Sequence, residues 1–277
     1  MSRGRKFNSY QNYEQALGQG VGLGHLQDYQ PWLRVQDVPS YGNRSVIFGL
    51  KTMRKHHFMS SIESDFFYQA EFNESVVDIR EQFPLLPLTL TERIANHIGV
   101  KHPTIKGIKG PAALHVMTTD FLLTIKNANG DIKYKAFAVK PDGIPSLRVA
   151  EKLEIEHLFW ALHDIEFKIY TGSESNKNVS KNIAWATSTI RMDASSYEHL
   201  PCHEVVSVLQ PGDYSVDELC SYLAQTFHLE CCEIMTIIQI AIAKKFIQVD
   251  LTNPIVEVGV LRILSNTHYQ KVTEQWR

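Results

Sequence analysis

Cysteine is scarce: 277 residues hold only Cys202, Cys220, Cys231 and Cys232, all in the last third and none spaced as CxxC. A disulfide framework is therefore excluded as the organising device. Cys202, His203, His228 and Cys231 also match no standard zinc spacing, so buried, reduced thiols are expected. Long apolar runs are missing too. The longest, Ile234 to Phe246, is interrupted by Thr236, Gln239, Lys244 and Lys245, so no membrane-spanning helix is expected. With no signal peptide read at the start, the expected compartment is the cytoplasm. Charge of one sign is lacking as well: 28 Lys and Arg against 30 Asp and Glu leave a formal charge of −2. Binding nucleic acid by overall charge is thereby disfavoured, and only local clusters can do it. The candidates are Arg3 to Lys6, the KTMRKHH run from Lys51 to His57, Lys101 to Lys109, and Lys244-Lys245.

What is present suffices for one large or two ordinary domains, with 44% hydrophobic residues to build cores. Residues 1–25 are basic and rich in Gln, Asn and Gly (Gly18, Gly20, Gly22, Gly24) and read as a flexible arm. Aromatics, Pro and Gly then suggest extended segments and turns over a core, with Arg44, Lys51, Arg54, His56 and His57 exposed. Ser60 or Ser61 caps a helix in which Ile62, Phe66, Phe67 and Ala70 recur at helical spacing, and Glu63 falls in its first turn. VVDIREQF (76–83) alternates like a strand, and 85–116 reads as a loop-rich surface excursion. After Ser146 or Asp142 a helix follows, with Leu147, Ala150, Leu153, Leu158 and Phe159 available to a core, and then the strand EFKIYT.

The most telling stretch is Thr118 to Pro141. Two apolar, β-branched runs flank the turn cluster Asn127 to Asp131, predicting a β-hairpin. If pairing centres on Asn129, Asp120 lies opposite Ala138, and Asp120, Ala138 and Lys140 share a face. A two-residue turn at Asn129-Gly130 would instead put Asp120 and Lys140 on opposite faces. In the first register a carboxylate and an ammonium meet at a strand end. Glu63 and Asp120 can then supply hard oxygen ligands for Mg²⁺, helped by water and by the Val139 carbonyl. Lys140 can orient water or stabilise charge on a phosphate. The acidic residue followed some twenty positions later by a strand-end lysine matches the spacing of PD-(D/E)xK nucleases. Ala138, two residues before the lysine, offers no side-chain oxygen where a third ligand is usual. Glu151 or Glu154 on the following helix can compensate.

Helix, strand, strand, strand, helix, strand is the element order of the restriction-endonuclease-like α/β core. GSESNKN (172–178) marks a boundary, dividing an arm (1–25), a catalytic domain (26–171) and a C-terminal domain (172–277). In the last part Ser215 to Glu218 caps a helix through Thr226, and a second covers Glu230 to Ala243 with Ile234, Ile237, Ile238, Ile240 and Ile242 as core. FIQVDL and IVEVGVLRIL around Thr252 to Pro254 then read as a hairpin, completing the pattern of a winged helix suited to protein partners.

Segments in order carry a resemblance: Gly18 to Gly20, DYQPWL (28–33), Val38 to Ser40, Lys51-Thr52, His56-His57, Ser61 to Glu63, DIREQFPLLP (78–87), Lys101 to Pro103, TTDF (118–121), Val139 to Pro141 and Glu151 to Glu154. Over about residues 16–165 the chain resembles TnsA, the endonuclease subunit of heteromeric bacterial transposases. The resemblance implies a restriction-endonuclease-like N-terminal domain and a winged-helix C-terminal one. It implies cleavage of double-stranded DNA at the 5′ ends of a transposon, with Mg²⁺ as cofactor and Mn²⁺ as substitute. It places the metal ligands on Glu63 and Asp120 and the lysine on Lys140. Implied partners are a TnsB-type DDE transposase and a TnsC-type AAA+ ATPase. Ala138 stands where the family carries a glutamine, so a weak or inactive assembly subunit is the alternative expectation.

Overall fold

The computed structural model describes residues 4, 5, 7–38, 43–105, 113–143, 146–192 and 198–267. Parts of the Arg3 to Lys6 and Lys101 to Lys109 clusters, with Pro39 and Ser40, lie outside them. The chain divides into two units, Met1–Gly172 and Ser173–Arg277.

The first unit opens with helix α1 (Tyr10–Gly18), capped by Ser9, followed by a short strand pair, β1 (Ser45–Phe48) and β2 (Lys55–Phe58). Helix α2 (Ser61–Phe72), β3 (Val76–Pro84) and α3 (Leu88–His97) lead into the hairpin β4 (Thr118–Lys126) and β5 (Ile132–Lys140). Helix α4 (Leu147–Leu162) and β6 (Glu166–Thr171) complete it. The sheet order is β3-β4-β5-β6, antiparallel except that β6 runs parallel to β5, the crossover being made by α4. One face packs on α2 through Phe66, Phe67, Ile79, Phe121, Leu123 and Val139. The other packs on α3 and α4 through Leu85, Ile94, Leu122, Ala136, Phe159 and Trp160.

Period two fails at one point of this sheet, and the failure shapes the site. Phe121 and Leu123 belong to the α2 face, yet Met117 belongs to the α4 face, and Thr119 is bonded to α4 residues. On β3, Ile79 is on the α2 face whereas Leu85 packs with the α4 layer. Both strands change sides between neighbouring pairs, Glu81 with Phe121 and Phe83 with Thr119. Gln82 and Asp120 therefore face each other at the change, and Gln82 adopts the left-handed φ of 48° that permits it.

Three expectations for this unit are corrected. Residues 1–25 are not simply an arm: α1 buries Tyr13 and Ala16 with Val21 and Trp32, and the Tyr13 hydroxyl donates to the Leu114 carbonyl. Residues 85–116 are not all loop, since α3 buries Ile94 and Ala95 on an i, i+4 stripe from Leu90 to Ile98. Arg54 and His56 are buried, because Glu81 on β3 binds both. Within α4, Leu153 and Phe159 are core as expected, but Leu147 at the first turn is 79% exposed.

In the second unit, α5 (Glu174–Met192) starts inside the stretch read as an aperiodic boundary. Helix α6 (Cys202–Ser207), β7 (Gly212–Ser215), α7 (Val216–Phe227) and α8 (Cys231–Ala243) follow. Strand β8 (Ile247–Val249), the short helix α9 (Ile255–Val258) and β9 (Val260–Asn266) close the unit, with β9 central in an antiparallel β7-β9-β8 sheet. The IVEVGVLRIL run is thus half helix and half strand, with Gly259 at φ 70° making the break. All five expected isoleucines of α8 are buried. The cysteines are free, but only Cys220 is buried; Cys231 and Cys232 are exposed in the first turn of α8. Among the described residues no single helix is long and apolar enough to cross a membrane.

Candidate active site

The hairpin register is the one centred on Asn129. Phe121 pairs with Phe137 and Lys126 with Ile132, and a five-residue loop is closed by Asn127 N–H to the Asp131 carbonyl at 2.9 Å. Backbone pairing of β4 with β5 ends at Phe121 and Phe137, while β5 continues beside β6 to Lys140. At this fork Asp120 takes over from the backbone. Its Oδ2 accepts the Val139 N–H at 2.7 Å and the Lys140 ammonium at 2.7 Å, and Lys140 Nζ also donates to the Val139 carbonyl at 2.9 Å. Asp120 and Lys140 meet as the register requires. The carboxylate bridges to β5 between the strands, a consequence of the side change at Asp120. Ala138 is fully buried.

Glu63 is brought in by α2. Ser60 caps that helix, accepting the Glu63 N–H and donating its hydroxyl to Glu63 Oε1 at 3.0 Å; Oε2 accepts the Met59 N–H at 3.1 Å. The cap thus fixes a carboxylate that is only 7% exposed. Burial and then the Asp120 charge push the Glu63 carboxyl up to about 7, against the pull of the Met59 and Ser60 bonds and Lys140. Burial opposes the charge on Lys140, but Asp120 outweighs it and raises the ammonium above its ordinary value.

A fourth group was missed in the sequence. Glu156, on α4, is buried and accepts the Thr119 hydroxyl at 2.6 Å, while the Trp160 indole donates to the same hydroxyl oxygen at 2.7 Å. Burial and then Asp120 push its carboxyl up to about 8. Its signal was available: Leu153, Glu156 and Trp160 form one i, i+3, i+7 stripe, so a glutamate sits on the buried face of the helix. Glu151 is held in an ion pair with Arg148, and Glu154 is exposed beside His157, so neither is aimed at the Asp120 site.

The raised carboxyls tie stability to pH. A Glu156 proton held more tightly in the fold than in the unfolded chain stabilises the fold fully below about pH 4.5, and this is lost as pH rises through about 8. Glu156→Gln keeps the Thr119 acceptor and removes the ionisation. In metal-free buffer at pH 8.5 it should therefore stabilise the chain by roughly 2 to 4 kcal/mol and change little at pH 5. Equal melting shifts at both pH values would refute the ionic origin.

Three acidic groups, Glu63, Asp120 and Glu156, around one lysine suit cation-assisted chemistry on an anionic substrate. Among the described residues no three His, Cys, Asp or Glu side chains are arranged to hold an ion by themselves. Backbone oxygen and water would have to complete any shell, as hard cations that keep their waters allow. The geometry defines a class: an α/β domain with acidic residues and a lysine gathered where two central strands part. Residues 73–172 match the family described as TnsA-like endonuclease N terminal. The chain is 37% identical over 237 residues to the transposon Tn7 transposition protein TnsA of Escherichia coli, spanning 85% of this chain and 84% of that one. It belongs to the TnsA family.

Proposed function

We infer that this chain is the metal-dependent endonuclease subunit of a heteromeric transposase, hydrolysing phosphodiester bonds at the 5′ ends of the transposon. The convergence of Glu63, Asp120 and Lys140 on one strand end is the observation that supports it best. The donor set fits Mg²⁺, with Mn²⁺ as substitute. Two carboxylates and the Val139 carbonyl are hard oxygens, and a Glu63 carboxyl pushed up to about 7 marks a site short of positive charge. When bound, the ion would supply Lewis acidity to the phosphoryl oxygen and lower the pKa of attacking water.

The chain's own residues do the rest. Glu63 and Asp120 present their oxygens from two different elements, α2 and β4, and would hold the ion between them. Lys140, already aligned by Asp120 and the Val139 carbonyl, turns its ammonium to the non-bridging oxygen as charge builds there. Glu156, whose carboxyl is raised by burial in the metal-free fold, lines the space beside Lys140, where it can hold a proton for the departing 3′ oxygen. The order helix, strand, helix, helix and antiparallel pair in the second unit supports a winged helix, used to contact a TnsB-type DDE transposase and a TnsC-type AAA+ ATPase. With a net charge of −2, those partners supply most of the hold on double-stranded DNA in the bacterial cytoplasm.

One observation favours a second reading. Ala138 gives the site a methyl group where a third side-chain oxygen is usual, which suits a catalytically weak subunit retained for assembly. Strand-specific cleavage of an end-bearing plasmid, with the two partners present or omitted and Mg²⁺ or Mn²⁺ varied, separates them. Metal-dependent nicking confined to the 5′ strand is expected; assembly without nicking in either metal would leave only the second reading.

A further inference from the structure

Beside the strand fork lies a cavity of about 290 Å³, far more than one or two waters fill. Its lining joins the site to a second set of groups: Lys140 and the buried Glu156 belong to both, and His115, Thr118 and Lys152 belong to the cavity alone. Lys152 lies one helical turn before Glu156 on α4, so the two share a face, with Lys152 exposed at the mouth and Glu156 at depth. His115 comes from the opposite side on a fixed backbone. Its N–H donates to the Pro103 carbonyl and Ile105 N–H to the Ala113 carbonyl, both at 2.9 Å, forming a two-rung clamp. Three nitrogen donors, Lys140, Lys152 and His115, thus surround a space large enough for a polar group.

We propose that this cavity is a second phosphate subsite, in which Lys152 and His115 hold the DNA backbone phosphate adjacent to the one being cleaved. The proposal rests on the endonuclease reading and extends it from chemistry to substrate positioning. A strand gripped only at its scissile phosphate can pivot about that point; a second grip one nucleotide away fixes its register. Lys140 links the two positions, since its ammonium sits with Asp120 while its side chain forms part of the cavity wall. Burial and the neighbouring Lys152 charge both favour the neutral imidazole at His115, which then serves as a hydrogen-bond donor, with Lys152 carrying the charge.

The test uses the full-length chain and a fluorescent duplex carrying one transposon end. Binding is followed by anisotropy across a salt series in Ca²⁺, and nicking in Mg²⁺ with the partner subunits. Lys152→Gln should lower the slope of log K against log salt by about 0.9, the amount for one phosphate contact. It should raise KM about tenfold with kcat changed less than about twofold, and Lys152→Arg should restore both. His115→Gln should raise KM in the same way without altering the slope. A neutral methylphosphonate at the phosphate next to the cut should cost the wild type at least as much as Lys152→Gln does, and cost Lys152→Gln only the smaller part left to His115. Unchanged slope and KM in Lys152→Gln, or methylphosphonate and mutant losses that simply add, would overturn the subsite. So would tight binding of inorganic phosphate with no change in DNA slope, which marks a small-anion site. Failure of the endonuclease reading looks different: the slope difference persists in Ca²⁺, but the wild type nicks no strand in Mg²⁺.

Discussion

Asp120→Asn should reduce 5′-strand nicking by roughly a thousandfold or more while leaving the chain folded and able to assemble with its partners. Asparagine keeps an oxygen for the Val139 N–H, so the fork between β4 and β5 is preserved. What goes is the negative charge that holds Lys140 in place and that would bind a divalent cation. The substitution also removes a principal reason why the Glu63 and Glu156 carboxyls are raised, so both should titrate lower in the variant. Strand-resolved gels report the activity and carboxyl NMR the titrations. Near-normal nicking by Asp120→Asn would take the residue out of the chemistry.

The largest loss of stability is expected away from the site, from Glu81→Gln. Glu81 is fully buried and binds Arg54 through both oxygens at 2.9 and 2.6 Å, His56 Nδ1 at 2.8 Å and the His57 N–H at 3.2 Å. Burial alone would raise its carboxyl, but the His56 and Arg54 charges outweigh burial and hold it far below the carboxylate range. Its contribution is therefore complete above about pH 4.5 and is lost as pH falls towards its folded-state value. Glutamine offers one acceptor and turns an amide donor towards other donors, leaving the Arg54 guanidinium buried without a counter-charge. Removing one partner of such a buried set costs about 3 to 5 kcal/mol. Chemical denaturation at pH 7 should show that loss, and the gap should close on acidification. A loss below about 1 kcal/mol would mean that water reaches the network.

How much of this was legible in the sequence depended on how far away the deciding partner lay. The hairpin register followed from local chemistry, because Asn127 to Asp131 form a loop whose length fixes which residues oppose one another. The cap that seats Glu63 was local as well. Arg54 and His56 were misplaced on the surface because their partner Glu81 lies more than twenty residues on, and unpaired charges do belong in water. Glu151 and Glu154 drew attention in the run EKLEIE, yet it is Glu156 that turns inward; the facing of α4 is set by the sheet. Tyr13 and Ala16 were hidden by the glycines that follow them, whose freedom reads as looseness although it serves the turns leading to Trp32. The exchange of faces at Gln82 and Asp120 had no sequence signature, since a left-handed glutamine is dictated by its surroundings.

That exchange has a use. A regular strand points neighbouring side chains to opposite sides, so groups arriving from the two flanking layers would be separated by the full thickness of the sheet. Where both strands roll over together, the barrier opens, and acids delivered from above by α2 and from below by α4 come under the influence of one aspartate. The centre is thus suspended between two independently packed halves, and its geometry is a measure of how those halves are aligned.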